Sequence, residues 1–500
     1  AFGTNSQSTE KWVTFQAGST LYYDGGFSPM GSSATFQPVT FQQGSSFVMR
    51  ASNPATGAGT FFNRKGYANI TVQNGATLTA DGSINQIDTV TITAGSTFIT
   101  HTSGQTVVSG NLNVQGTLSA PGTSTGEMVF AGNVPQTVSG TGIISVPSLS
   151  VTDGAHVILE KSITVSRSAV INGKIDFGAF QLTGAGSFTA RGAIAAANPT
   201  GNRTAGSYIL TGVAGAGGLN RGLTISGAGL QPDTRVISYT TNFDSIYISR
   251  PALTSGTATA LGLSSNAATL ITANPSGFDA GNGSVSLTDV RTYEDGINYT
   301  INSSTTAPFG ITTGSGTSRV SVGDVLLNAT VTTNATASIY GSLQATAGKT
   351  IIRPLDTLWL MTGAALNGSY NASNYFVTDV TAGGNVGVFG RNNVSGSTLF
   401  PVGTASHYLP VLVNPASSSD FAINVFQGIT TDATPNGAAF NATQKQTVVD
   451  AVWNVNRVNG TGDADLKLQW TPTLEGTTLA TFANSEMGII KHTGSSWSLP

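Results

Sequence analysis

The sequence predicts an all-β chain: a parallel β-helix, or solenoid, with a small all-β insert and a C-terminal β-sandwich. Three observations carry this. A nine-residue pattern recurs five times before residue 160, and glycine keeps one offset in every copy. The chain has no cysteine and few charges, so its stability must come from hydrogen-bonded strands and stacking. Its 500 residues include 62 Gly, 21 Lys and Arg, and 24 Asp and Glu; charged side chains are 9%, where an ordinary soluble domain has about 25%.

The repeat reads Val13-Thr-Phe15-Gln-Ala17-Gly18-Ser19-Thr20-Leu21, then Val39-Thr-Phe41-Gln-Gln43-Gly44-Ser45-Ser46-Phe47. It returns as Ile70-Thr-Val72-Gln-Asn74-Gly75-Ala76-Thr77-Leu78, as Val90-Thr-Ile92-Thr-Ala94-Gly95-Ser96-Thr97-Phe98, and as Leu149-Ser-Val151-Thr-Asp153-Gly154-Ala155-His156-Val157. Alternation points Val13 and Phe15 one way and Thr14 and Gln16 the other, so each copy predicts two short strands around a glycine corner. Glycine supplies the positive φ of a sharp corner. Strands of three residues cannot bury an apolar face alone, so copies must stack. The first four begin at 13, 39, 70 and 90, spacings of 26, 31 and 20, which predict one copy per coil with loops of variable length. Leu112-Asn-Val114-Gln-Gly116-Thr-Leu118 and Ile163-Thr-Val165 to Ile171 fit as less regular coils.

The predicted organisation is a parallel β-helix over 1–193, a small all-β insert over 206–263, further coils over 285–374 and a β-sandwich-like domain over 375–500. The Ala-rich stretch from Ala195 to Thr204, with its Asn-Pro, reads as a boundary. Strands such as Tyr208-Ile-Leu210 and Ser245-Ile-Tyr247-Ile248, set between Gly and Pro turns, suggest an insert of about five strands. Coil grammar returns at Val320-Ser-Val322, Val331 to Ile339, and Ile351 to Leu360; longer alternating strands follow, such as Phe421-Ala-Ile423-Asn-Val425. The chain stops at Pro500 just after Trp497, where a sandwich strand is expected to continue.

Composition narrows function as well. With 39% hydrophobic residues, including 23 Phe, the chain can pack a core. A net charge of −3 with so few cations argues against nucleic-acid binding, and no apolar run reaches the roughly 18 residues of a membrane-spanning helix. Absence of cysteine and a count of four histidines exclude thiolate zinc, iron–sulfur and Cys-nucleophile chemistry. The chain opens at Ala1, as a protein relieved of an export signal would, and as a trimmed chain would.

Leu399-Phe400-Pro401-Val402-Gly403-Thr404-Ala405-Ser406-His407-Tyr408-Leu409-Pro410-Val411 resembles a segment common in large secreted surface proteins of Bacteroidota. Asp450-Ala-Val-Trp453-Asn454-Val455, Leu466-Lys-Leu468-Gln-Trp470 and Gly494-Ser-Ser-Trp497 follow in the same order as in those proteins. Gln136-Thr137-Val138-Ser139-Gly140-Thr141-Gly142-Ile143 is similar to their repeats, and the insert, through Thr224-Ile-Ser226-Gly227-Ala228-Gly229-Leu230-Gln231-Pro232, resembles a module of bacterial and phage surface proteins. The resemblance implies adhesin-like β-helix proteins exported by the type IX secretion system. The sorting domain that such proteins carry at the C-terminus is not visible before Pro500.

Parallel β-helices also host polysaccharide lyases and hydrolases, whose sites need carboxylates and a base on one sheet face. The candidates are Asp153, Glu160, Lys161, Arg167, Lys174 and Asp176. Lys174 and Asp176, outward around Ile175, would lie about 7 Å apart, a spacing that a surface salt bridge also explains. His101, His156, His407 and His492 are scattered; His156 is expected at the surface and His407 in a structural role. The stretch from Asn459 to Asp465 offers oxygens for calcium, or is a polar hairpin turn. Asn69, Asn298, Asn328, Asn334 and Asn441 head Asn-x-Ser/Thr triplets, and Asp88-Thr89, Asp244-Ser245 and Asp356-Thr357 resemble O-glycosylation sites of Bacteroidota. Tyr22, Tyr23, Phe27, Phe61, Phe62 and Tyr67 could stack on sugars or fill the core.

No residue is assigned as catalytic, cofactor-binding or metal-ligating, and no cofactor is expected. The expectation is a non-catalytic structural or adhesive protein at the cell surface: a rigid solenoid stalk, forming a homo-oligomer or polymer or meeting surface glycans and neighbouring cells. The alternatives are a self-polymerising filament or sheath subunit and a polysaccharide-active β-helix enzyme.

Overall fold

The computed structural model describes residues 13–26, 39–53, 65–80, 82–215, 223–232, 234–239, 244–248, 250–315, 319–378, 380, 383–483 and 486–498. The protein is all-β, 50% strand and 3% helix, with a parallel β-solenoid of about 15 turns. The chain divides into two compact units, Ala1–Asn274 with Asp279–Ile297, and Pro275–Phe278 with Asn298–Pro500.

Each coil of the first unit passes along three faces. Gln105–Val108, Glu127–Phe130 and Ser187–Ala190 belong to the first; Leu112–Val114, Gln136–Ser139, His156–Leu159 and Lys174–Asp176 to the second; Thr97–Ile99, Thr117–Ser119 and Leu182–Gly184 to the third. Longer strands such as Ile84–Ile92 and Ile143–Val151 turn a corner and serve two faces. Register is parallel throughout, and it stacks Phe47, Ile70, Val90, Leu112, Val138 and Leu159 into one buried interior column. The alternate positions Thr71, Thr91, Asn113 and Ser139 form an outward row on the same face. A strand too short to bury its own apolar residues thus gains its core from the coils on either side.

The repeated glycine performs the predicted turn: Gly18, Gly44, Gly75, Gly95 and Gly154 have φ of 81°, 81°, 73°, 75° and 73°. The expectation of one copy per coil needs correction. The first two copies stack on each other (Val13 on Val39, Leu21 on Phe47), as do the third and fourth (Ile70 on Val90, Leu78 on Phe98). Between the pairs, however, Phe47 of the second strand of one copy meets Ile70 of the first strand of the next. The motif has moved by one corner, and the spacing of 31 contains an extra face. In the fifth copy Leu149 lies on Met128 of the first face and Val157 on Gln136 of the second. All corners demand the same local geometry, so the same pattern serves more than one of them.

The insert is a seven-stranded antiparallel module whose first strand is Ile194–Ala197 and whose last is Gly256–Ser265. It therefore starts ahead of 206, and it has more strands than expected. The presumed boundary is part of its sheet: Thr200–Arg203 pairs on both sides, and Leu261 N donates to Pro199 O at 2.8 Å. Leu210, Leu223, Ile225, Val236, Ile246, Leu261 and Leu263 form its separate core. The coils resume at Thr269–Thr272, not at 285, because Leu270 stacks directly on Ile175.

In the second unit, Arg319–Leu327 carries Thr336–Ile339 and Ser342–Ala345 in parallel register. A further face runs Val331–Thr332, Thr350–Ile352, Phe376–Thr378 and Val402–Gly403. Parallel coils therefore continue past the expected change at 375. Antiparallel pairing then takes over. Ser419–Gln427 adds to Val388–Val394 and receives Ala451–Asn459, while Thr398–Phe400, Val411–Pro415 and Ala464–Leu468 form a second sheet. Thr378 Oγ1 joins the two grammars, donating to Val425 O (2.8 Å) and accepting from Val425 N (2.9 Å).

Candidate functional site

The acidic and basic candidates of the first unit do not converge. Asp153 is buried, its side chain 3% exposed, and faces the equally buried Arg235 of the insert at 3.9 Å. It also accepts from the Thr224 hydroxyl and from Asn266 Nδ2 at 3.2 Å. The guanidinium lies over the corner glycine of the fifth repeat, where a Cβ on Gly154 would run into it. Asp153 is therefore the anchor of the inserted module. Glu160 and Arg167 are exposed. The Lys161 amine donates to Gly142 O, and burial lowers its pKa.

Lys174 and Asp176 do point outward around fully buried Ile175. Asp176 accepts from Gly178 N at 2.9 Å, a contact within its own turn. His156 stands beside Lys174 in register and is half-buried, against the expectation of a plain surface side chain. Burial lowers its pKa, Lys174 adds to this, and Asp176 opposes it.

The other histidines hold turns. His101 Nδ1 accepts from Gly104 N at 2.8 Å; His492 Nδ1 accepts from Gly494 N, and its ring packs on Trp497. His407 closes a turn by donating its backbone N–H to Thr404 Oγ1 at 3.1 Å. The 459–465 segment is a polar turn but not a hairpin, because the strands it joins belong to different sheets. Asp465 accepts there from Asn414 Nδ2 at 3.3 Å. Among the described residues no three His, Asp or Glu groups are placed to hold a metal ion.

The proposed modification sites are also engaged. Asn69, Asn328 and Asn334 donate the carboxamide nitrogen that a glycan would occupy, to Ser45 O, Asn302 Oδ1 and Phe309 O at 3.0, 2.8 and 2.8 Å. Asn298 Oδ1 accepts from Asp324 N, and Asn441 caps a short helix. Asp88 accepts from Ser109 and Asp356 pairs with Arg353; Ser245 lies on an insert strand. Of the aromatics, Tyr23 and Tyr67 are core, the latter tilted 5.0 Å from Phe41. Tyr22 is exposed with the Arg50 guanidinium 4.2 Å above its ring. Phe27, Phe61 and Phe62 lie outside the described residues.

Polar side chains instead work on the backbone and on each other. Gln136, fully buried, accepts from Gly132 N (2.7 Å) and donates to Val108 O (2.9 Å) and Gly110 O (2.8 Å). Asn302, Asn328 and Thr346 form an outward ladder through bonds of 2.8 and 2.6 Å. In the 399–411 segment Phe400 and Val402 are core, and Gly403 leaves room for the Tyr375 ring and the His407 carbonyl. Trp453 Nε1 donates to Leu409 O at 3.1 Å and Trp497 Nε1 to Thr430 O at 2.9 Å. Residues that carry the resemblance thus have architectural work. No local pattern marks the Asp153–Arg235 contact, which spans two modules; an acid at a corner where the other copies have Ala, Gln or Asn was its one sequence signal.

Fold and polar rows together define a β-solenoid protein with an antiparallel module let into one coil. Comparison with protein-family models, with curated proteins and with solved structures finds no match.

Proposed function

We propose that this chain is an exported, non-catalytic structural or adhesive protein of a bacterial cell surface, with solenoid coils as a rigid stalk. The observation that carries the reading is how its polar groups are used. Asp153 ties a module to its coil, and Asp176 and the histidines His101, His407 and His492 serve turns. Glu160 and Arg167 stand apart at the surface, and Asn302, Asn328 and Thr346 bond from coil to coil. Neutral rows suit repeated weak contacts with glycans or with like surfaces, since they bring no charge repulsion. A Bacteroidota origin and type IX export rest on the motif resemblance alone.

One observation favours a second reading, a subunit that polymerises. Among the described residues Val13–Phe15 and Thr20–Tyr23 each pair with one neighbour only, and Leu21 is half-buried where Phe47, next in its column, is fully buried. A strand edge with no second partner among the described residues, over a core column that thins toward it, would accept a further strand. Negative-stain electron microscopy of undenatured native material tests this, together with a glycan-binding and depolymerisation screen. Single particles that bind glycans without cleaving them support the stalk. Filaments with a subunit repeat support the polymer. Released oligosaccharides would overturn both in favour of an enzyme.

A further inference from the structure

The chain contains six Asn-Gly steps, at Asn74, Asn172, Asn282, Asn367, Asn436 and Asn459. In four, the glycine nitrogen is committed to another acceptor: Gly75 to Ser96 Oγ (3.1 Å), Gly173 to Val151 O (3.2 Å), Gly283 to Asp279 O (3.1 Å) and Gly437 to Thr434 O (3.0 Å). At Asn459 the arrangement differs. The Gly460 N–H donates to Oδ1 of Asn459 itself, at 2.9 Å, so the amide nitrogen is held against the carboxamide of the preceding side chain. Both residues are exposed at the end of Ala451–Asn459, and Gly460 has φ of 100°. Asn367 makes no contact of this kind.

We infer that Asn459-Gly460 is a self-modification site, at which Asn459 deamidates through a cyclic imide faster than any other Asn-Gly step of the folded chain. The Gly460 amide loses its proton to solvent base, and its nitrogen attacks Cγ of Asn459. The N–Cγ bond forms, the Cγ–Nδ2 bond breaks, and Nδ2 leaves as ammonia carrying a proton. Water then opens the imide at either carbonyl, giving aspartate or isoaspartate, with no change of oxidation state. The hydrogen bond to Oδ1 keeps the Asn459 carboxamide, and with it Cγ, beside the nitrogen that must attack it, which removes part of the orientational cost of closure. Glycine matters because no side chain shields its nitrogen.

The product disturbs its surroundings. Asn459 stands opposite Asp420 in the antiparallel pair with Ser419–Gln427, so a new carboxylate faces an existing one directly across the ladder, a destabilising arrangement. Isoaspartate also lengthens the backbone by one methylene and breaks register at that strand end. The modification frays the last pair of the sheet and adds one negative charge.

The test is peptide mapping of the full chain, aged in its folded state at neutral and mildly alkaline pH, with fragmentation that separates aspartate from isoaspartate. The expected result is conversion at 459 about tenfold faster than at the other five sites, rising with pH, with the six rates converging in a urea-unfolded sample. Asn459→Gln, which would need a larger ring, abolishes the dominant acidic variant while leaving the melting temperature of fresh protein unchanged. Equal rates at all six sites in the folded chain, or protection of 459 relative to the unfolded chain, would overturn the inference.

Discussion

Asp153 shows how one substitution within a repeat acquires a separate role. The corner needs only Gly154, yet the preceding residue places a carboxylate where Arg235, Thr224 and Asn266 meet it. Removing one member of a buried charged pair leaves the other uncompensated, which costs more than the pair contributes. Asp153→Ala is therefore expected to destabilise the first unit by about 3 kcal/mol, read as a lower urea midpoint, with earlier proteolysis inside 194–265. Asp153→Asn, which keeps an oxygen for Thr224, should cost less. A midpoint unchanged in Asp153→Ala would show that the module is held by other contacts.

At the scale of the coil, stability comes from register. The ladder of Asn302, Asn328 and Thr346 adds side-chain bonds to a backbone that is already paired. Asn328→Ala breaks two of them at an exposed site and should cost about 1 kcal/mol, measured by chemical denaturation; a larger loss would mean that the ladder sets the register. The coils were legible because period-two alternation and the corner glycine are local signals. Which corner each copy occupies was not, since Val39-Thr-Phe41 and Ile70-Thr-Val72 have the same pattern on different faces. The module's first strand was hidden in a stretch of Ala and Asn-Pro, residues of low β-propensity that pairing with Gly256–Ser265 overrides. The coils beyond 375 were masked because Phe376–Thr378 and Val402–Gly403 are separated by a long excursion.

The molecule as a whole has few acids and bases, and its sensitivity to alkali falls on tyrosines. Burial raises the pKa of Tyr293 and Tyr408, and it pushes Tyr370 from its ordinary 10 up to about 12. A phenol whose pKa is higher folded than unfolded stabilises the fold fully below the unfolded value and loses that contribution as pH rises toward the folded one. Melting temperature should therefore hold near neutrality and fall between about pH 10 and 12; a flat profile would show these rings to be hydrated. The inserted module carries a different consequence. It leaves after Arg191 and returns at Ala268, whose N–H donates to Arg191 O at 2.8 Å, and the next strand stacks on Lys174–Asp176 with no slip in register. To the growing stack, that detour has almost no length. The gap between entry and exit is a socket: a folded domain whose two ends lie side by side could occupy it, provided that it meets the buried Asp153 as Arg235 and Thr224 do.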